Sequence, residues 1–352
     1  MRGRVIIAIL TVLLVTSCQA NSPSAQQLAA EQTLRLPIYT EPQPGGLSLD
    51  PATLSFSVET AVGSNLFNGL YRIDEQMQEV PDIARDFPSV SADGLTYTFH
   101  LRDDVRFSNG DDVTAADVIY SWNRAVAKQG DWAAIFKPIV GYDAVASGKA
   151  GAKLALSAPD PYTLVATLAE PSGYWLAELT LPASWVVNQR AIIEGAEDRW
   201  WMAPQDLIGT GPFRLTNWIP GVELDFAPVD HWWGGSTGAL KRVELHVTTR
   251  ADVWAGYQHG RFDMVGYGLP SNGVTDKAHI DAIRADPQQR NEVHTWPFGA
   301  TSWVAFNLQT GPFSGNGTGM QLRRAFSQAI DRTKLASAVC DGGTICVRRP
   351  AV

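Results

Sequence analysis

Positive charge is scarce in this 352-residue chain. Its 28 Lys and Arg stand against 36 Asp and Glu, a formal net charge of −8. No run of Lys or Arg occurs, which argues against nucleic acid as a partner. Catalytic signatures are lacking: there is no Gly-x-Ser-x-Gly and no HExxH. His100, His231, His246, His259, His279 and His294 are dispersed, so no metal site is expected. "GNGTG" at 315–319 lacks the Lys-Ser/Thr of a phosphate loop and reads as a flexible linker. Asp103-Asp104 and Asp111-Asp112 flank a turn and read as solvated charges. No catalytic residue, cofactor or enzyme activity is expected. The rival from the enzyme class is an exported hydrolase of peptides or glycans using scattered carboxylates; the sequence offers it no nucleophile.

Long apolar runs are missing as well. Val5–Val15 is apolar but too short to span a bilayer. Arg2 and Arg4 precede it and "VTSC" ends it, so residues 1–17 read as an export signal. The small residues before Cys18 resemble a bacterial lipobox, with Cys18 as the lipidation site. Residues 18–31, polar and small, then form a tether. The expected location is extracytoplasmic, anchored to the cell membrane through Cys18. Two cysteines remain, Cys340 and Cys346 in "CDGGTIC". In an oxidising compartment such a pair suggests a disulfide.

What the chain does contain is a globular composition, 45% hydrophobic and 18% charged, on a length that calls for two or more domains. "GLTYTFHLRDDVRFSNGDDVTAADVIYSWNR", 94–124, is the most legible stretch. Leu95, Tyr97, Phe99 and Leu101 alternate with polar residues, the period of a half-buried strand. Val105 and Phe107 extend that apolar face, and Asn109-Gly110 supplies a turn. Thr114 and Asp117 stand at capping-box spacing before a helix whose Val118, Trp122 and Val126 share one face.

Elsewhere, "SVETAVGSNLFNGLYRID" predicts a helix delivering Leu66, Phe67, Leu70 and Tyr71 to a core. "KLALSAPDPYTLVATLAEP" predicts two strands. "GTGPFRLTNWIPGVELDFAP" predicts a hairpin with Phe213, Leu215, Val222, Leu224 and Phe226 inward. "LKRVELHVTT" and "SWVAFNL" predict strands. "RADVWAGYQHGRFDMV" predicts a helix leading into a strand, and "GMQLRRAFSQAIDRTKL" an amphipathic helix. Strands and helices mix without a regular rhythm, the mark of an α/β (mixed α+β) fold. Twelve tryptophans in an exported chain without catalytic residues suit a ligand cleft.

"LSLDPA", "NLFNGLYRID", "VPDIARDFPSVSADGLTYTFHLRDDVRFSNGDDVTAADVIYSWNR", "APDPYTLVATLAEP", "IGTGPFRLTNW", "PVDHWWGG", "HGRFDMV", "VAFNLQTGPF" and "LRRAFSQAIDRTKL" follow in that order. Together they resemble the family 5 extracellular solute-binding proteins of ABC transporters, the oligopeptide- and dipeptide-binding type, from Leu34 to Leu335. The resemblance implies a periplasmic-binding-protein-like two-lobed fold with an extra small domain. Lobe I would comprise 32–70 and 186–268, the extra α+β domain 71–185, and part of lobe II 269–352. It implies a peptide ligand held between the lobes, delivery to permease subunits of the transporter, and a monomer. Relatives in the family also bind nickel complexes, sugars or nucleobase-like solutes, so a non-peptide ligand is the alternative. The resemblance places Ser55, Phe56, Ser57, Trp132 and Asn307 at the ligand. Family members commonly run on past the "LRRAFSQAIDRTKL" helix, so an incomplete second lobe and weak peptide affinity are expected of the chain as it stands.

Overall fold

A computed structural model describes residues 31–38, 47–55, 57–195, 199–266, 277–294 and 304–339. Ten strands follow in order: β1 (Thr33–Ile38), β2 (Tyr71–Ile73), β3 (Glu79–Pro81), β4 (Ser89–Val90), β5 (Thr96–His100), β6 (Leu156–Asp160), β7 (Thr163–Thr167), β8 (Phe213–Ile219), β9 (Glu223–Pro228) and β10 (Arg242–Val247). The helices are α1 (Ser57–Gly63), α2 (Ala115–Lys128), α3 (Tyr142–Ala146), α4 (Trp175–Glu178), α5 (Gln189–Glu194), α6 (Arg250–Gln258), α7 (Lys277–Ala285), α8 (Thr318–Ala329) and α9 (Arg332–Val339).

Two four-stranded sheets organise two cores. The first has the order β1-β10-β9-β8, with β1 parallel to β10 and the other pairs antiparallel. The partner of β1 thus lies some two hundred residues downstream, and the whole second sheet falls in the sequence between them. Leu36, Ile38, Leu215, Leu224, Phe226 and Leu245 from this sheet pack with Leu54, Leu66, Phe67, Trp185 and Trp200. The second sheet, β4-β5-β7-β6, is antiparallel throughout and sets Phe99 opposite Leu164 and Tyr97 opposite Ala166. Those four side chains are buried, as are Leu101, Val105, Phe107 and Leu168.

Helix α2 forms as its sequence dictates. The Asp117 carboxylate accepts from the Thr114 N–H at 2.9 Å and from the Thr114 hydroxyl at 2.7 Å. Burial pushes the Asp117 carboxyl above its ordinary pKa. Val118, Trp122 and Val126 are fully buried against the second sheet. The flanks of α2 reach other segments. The Ser121 hydroxyl accepts from Val187 N–H at 3.0 Å, Asn123 Oδ1 from Leu154 N–H at 2.9 Å, and Tyr120 packs on the first core. Helix α2 is therefore the seam between the two cores.

Several expectations are corrected. The helix read over "SVETAVGSNLFNGLYRID" ends at Gly63. Leu66, Phe67, Leu70 and Tyr71 are buried as expected, but from a turn, a coil and β2. Leu66 O accepts from Gly211 N–H at 2.9 Å and Asn65 O from Phe213 N–H at 3.1 Å, so these carbonyls serve a distant segment instead of a helix. A Cβ on Gly209 would stand 1.9 Å from Leu66 O, so only glycine permits that approach. Val222 falls in the β8–β9 turn and is exposed. No strand follows Gly260 within 261–266, nor do 304–308 of "SWVAFNL" form one. The single helix read over "GMQLRRAFSQAIDRTKL" is two, because Asp331 Oδ1 accepts from Thr333 and Lys334 N–H and starts α9. Leu322 and Phe326 of α8 are exposed, while Ile330 is half-buried. Among the described residues no helix is long and apolar enough to cross a membrane.

Candidate ligand-binding loop

The segment Leu47–Ser55 lies between β1 and α1 in the sequence and is held by four sets of contacts. Asp50 folds it: its carbonyl accepts from Thr53 N–H at 2.9 Å and Leu54 N–H at 3.1 Å, and its Oδ1 from Ala52 N–H at 3.0 Å. The same carboxylate takes a two-pronged contact from Arg124 of α2, Nη1 to Oδ1 at 2.7 Å and Nη2 to Oδ2 at 2.5 Å. Asp50 is 1% and Arg124 7% exposed. The Trp200 indole N–H also reaches Asp50 Oδ2, at 3.4 Å. The loop, the seam helix and the first core thus meet at one buried charge pair. Glu59 of α1 supplies the third hold, accepting from the N–H groups of Ser48 and Ser55.

The fourth hold carries the aromatic candidate. After α2 the chain turns at Gln129, whose backbone is left-handed with φ 52°. A Cβ on Gly130 would stand 2.1 Å from Ala52 O, so the 129–132 turn lies directly on the loop. Trp132 follows two residues later. It is half-buried against the second core, and its indole N–H is buried without an acceptor among the described residues. Such a donor is costly unless something supplies an acceptor.

The structure therefore brings together the segments that hold Ser55 and Trp132. Phe56 and the side chain of Ser57 lie outside the described residues, as do Cys18, Cys340 and Cys346. Asn307 is exposed, and its Oδ1 caps its own turn, accepting from Gln309 and Thr310 N–H at 3.0 and 3.1 Å. It occupies no strand, because the ladder that "SWVAFNL" requires has no partner among the described residues. Sequence reasoning missed Asp50, Glu59, Arg124 and Gly130. An Arg two positions after Trp122, next to the apolar face of the helix, was the available signal for Arg124.

A recess of about 380 Å³ lies beside the start of α2 and includes Asp111, Asp112, Asp117, Asn188 and Arg190. Its charges are engaged. Asp111 Oδ2 accepts from Asn109, Asn188 and Arg190, and these bonds hold its carboxyl below the ordinary range, Asn109 first. Asp112 pairs with Arg106 at 2.9 Å. Asp111, Asp112 and Asp117 of this acidic recess are thus each bonded within the protein, unlike the Trp132 indole.

The chain is similar to several characterised proteins. It is 30% identical over 342 residues to the periplasmic murein peptide-binding protein MppA of Escherichia coli, covering 96% of this chain and 60% of that one. It is 27% identical to the dipeptide-binding protein DppE of Bacillus subtilis, covering 92% and 57%. The solved structure of the Escherichia coli murein tripeptide binding protein MppA matches 90% of this chain and 59% of its own, with a TM-score of 0.70 at 29% identity. That of Listeria monocytogenes OppA bound to peptide matches 67% and 46%, with a TM-score of 0.60 at 27% identity. The chain thus spans about 60% of the length of the curated relatives it matches. The mixed α/β architecture is that of two-lobed periplasmic peptide-binding proteins. Residues 78–345 match the family model for bacterial extracellular solute-binding proteins, family 5 Middle, and the chain belongs to that family of binding proteins.

Proposed function

We propose that the chain captures peptides for an ABC importer and hands them to its permease subunits as a monomer. The observation that carries this is Trp132. Its indole N–H is buried without an acceptor among the described residues, and its turn packs through Gly130 on a loop that Arg124 and Glu59 also hold. A peptide main chain offers carbonyl acceptors and N–H donors in alternation, and recognition of such chains by main-chain pairing tolerates varied side chains. Further support is that MppA, DppE and OppA bear peptide-binding names across nearly the whole of the matched chain. The residues proposed at the ligand are Ser55, Phe56, Ser57, Trp132 and Asn307. The partition proposed is lobe I at 32–70 and 186–268, an inserted domain at 71–185 and second-lobe sequence at 269–352.

The test is ligand-observed NMR with trialanine, which reads affinities down to the millimolar range. Saturable binding is expected, weakened about tenfold by Trp132→Ala, the cost of one hydrogen bond and a ring contact. A protein that ignores trialanine but binds deoxycholate, the ligand in the name of a relative 24% identical, would favour the non-peptide alternative.

The anchor proposed is a diacylglyceryl group on Cys18, following the export signal 1–17, and the bridge proposed is Cys340–Cys346. Intact-mass analysis of protein extracted from membranes reads both. The expected mass carries the lipid on Cys18 and lacks two hydrogens at the pair. An unmodified Cys18 or two free thiols would count against the respective assignment.

A further inference from the structure

We infer that Glu59 is a positioning residue that locks the 48–55 loop into a single conformation. The inference rests on the proposed peptide-binding role for its consequence, but not for its own test. Glu59 is the third residue of α1 and is 3% exposed. Its Oε1 accepts from Ser48 N–H at 2.7 Å and its Oε2 from Ser55 N–H at 2.9 Å. One carboxylate therefore closes a loop of eight residues at both ends. Bonds of N–H to a buried carboxylate are among the stronger hydrogen bonds in proteins.

The polar side chains of Ser48, Asp50 and Thr53 are bonded within the loop or to α2. Ser48 Oγ stands 3.0 Å from Thr53 Oγ1 and accepts from Asp50 N–H at 3.2 Å. Asp50 is engaged with Arg124 and Ala52. The clamp has a chemical corollary. With its N–H given to Glu59 and its hydroxyl aimed at Thr53 O, half-buried Ser55 has its carbonyl and the lone pairs of Oγ left as acceptors. The Trp132 turn, which packs on the same loop where Gly130 meets Ala52 O, holds a buried indole donor. A rigid loop keeps acceptor and donor at fixed spacing, and pre-organisation of that kind is where binding affinity is gained. The carboxylate is specifically required: it offers two acceptor atoms, whereas a glutamine of the same shape offers one acceptor and sets an amide N–H against the other backbone N–H.

The experiment compares the full chain with Glu59→Gln, which preserves size and packing. Amide hydrogen exchange is followed across segment 47–55 and, as an internal standard, across β5 and β7. Exchange at Ser48 and Ser55 is expected to accelerate about tenfold or more, while Tyr97, Phe99 and Leu164 stay unchanged; one lost charge-assisted bond is of that size. Trialanine affinity is expected to fall about fivefold or more in the same variant, by the loss of pre-organisation. Unchanged exchange at Ser48 and Ser55 overturns the clamp. Equal acceleration in β5 and β7 also overturns it, since Glu59 would then be a general stability residue. Local acceleration with unchanged trialanine affinity overturns the link to binding. If the unmodified chain shows no trialanine affinity, the peptide reading fails and the exchange measurement decides the clamp by itself.

Discussion

Asp50→Ala is expected to lower the unfolding free energy by about 3–5 kcal/mol, the usual cost of stripping one partner from a buried ion pair. The loss comes from what remains. Arg124 is 7% exposed and sits on a helix whose neighbouring faces are packed, so its guanidinium cannot swing to water without disturbing α2. The variant also deprives Ala52 N–H of its acceptor and removes a contact of the Trp200 indole. These groups belong to the loop, to the seam helix and to the first core, so one carboxylate joins three parts of the molecule. Urea unfolding followed by tryptophan fluorescence measures the effect. The double variant Asp50→Leu with Arg124→Met supplies the control. Removing both charges and refilling the space is expected to recover most of the loss. A single variant that costs under about 1 kcal/mol would mean that Arg124 finds water or another acceptor, and the pair would not be the bolt described above.

That pair also shows where reading a sequence stops. The 94–124 stretch was legible because everything that shapes it is local. Its alternation, its Asn-Gly turn and its Thr114–Asp117 cap act within a few residues, and the structure bears out each. Asp50 and Arg124 are 74 positions apart, and no periodicity links them. Leu66, Phe67, Leu70 and Tyr71 were assigned correctly to a core but wrongly to a helix. Their spacing fits a helical face equally well, and only the approach of Gly209 and Gly211 decides otherwise. At the candidate site, Trp132 was legible only by resemblance. Its unpartnered indole N–H and the contact of Gly130 with the Ala52 carbonyl are facts of three dimensions. Asn307 was placed on a strand because "SWVAFNL" reads as a short apolar strand and the resemblance sets it there; a strand also needs a neighbour, which a local pattern cannot supply.

Trp122→Ala is expected to cost about 3–5 kcal/mol, by truncation of a large buried side chain. Three observations set the size. Trp122 is fully buried. Its ring packs edge-on to Phe99 at 6.4 Å and to Trp175 at 6.2 Å, and tilted on Phe136 at 5.2 Å. Its indole N–H donates to Ser184 O at 3.0 Å, tying α2 to the segment that leads back to the first core. Alanine removes the packing and the bond together. Trp122→Phe separates them: most of the ring contact survives, Ser184 O loses its donor, and a smaller loss of about 1–3 kcal/mol is expected. The surrounding side chains come from β5, α2, α4 and the 133–136 turn, so no single element can relax to fill the space. Collapse would require the sheet and the helix to move together, and the antiparallel pairing of β5 with β7 resists that. Urea unfolding of the two variants gives the comparison. A loss of less than about 2 kcal/mol for alanine would show that the second core repacks around the void, and the rigid contact between α2 and the sheet would have to be abandoned.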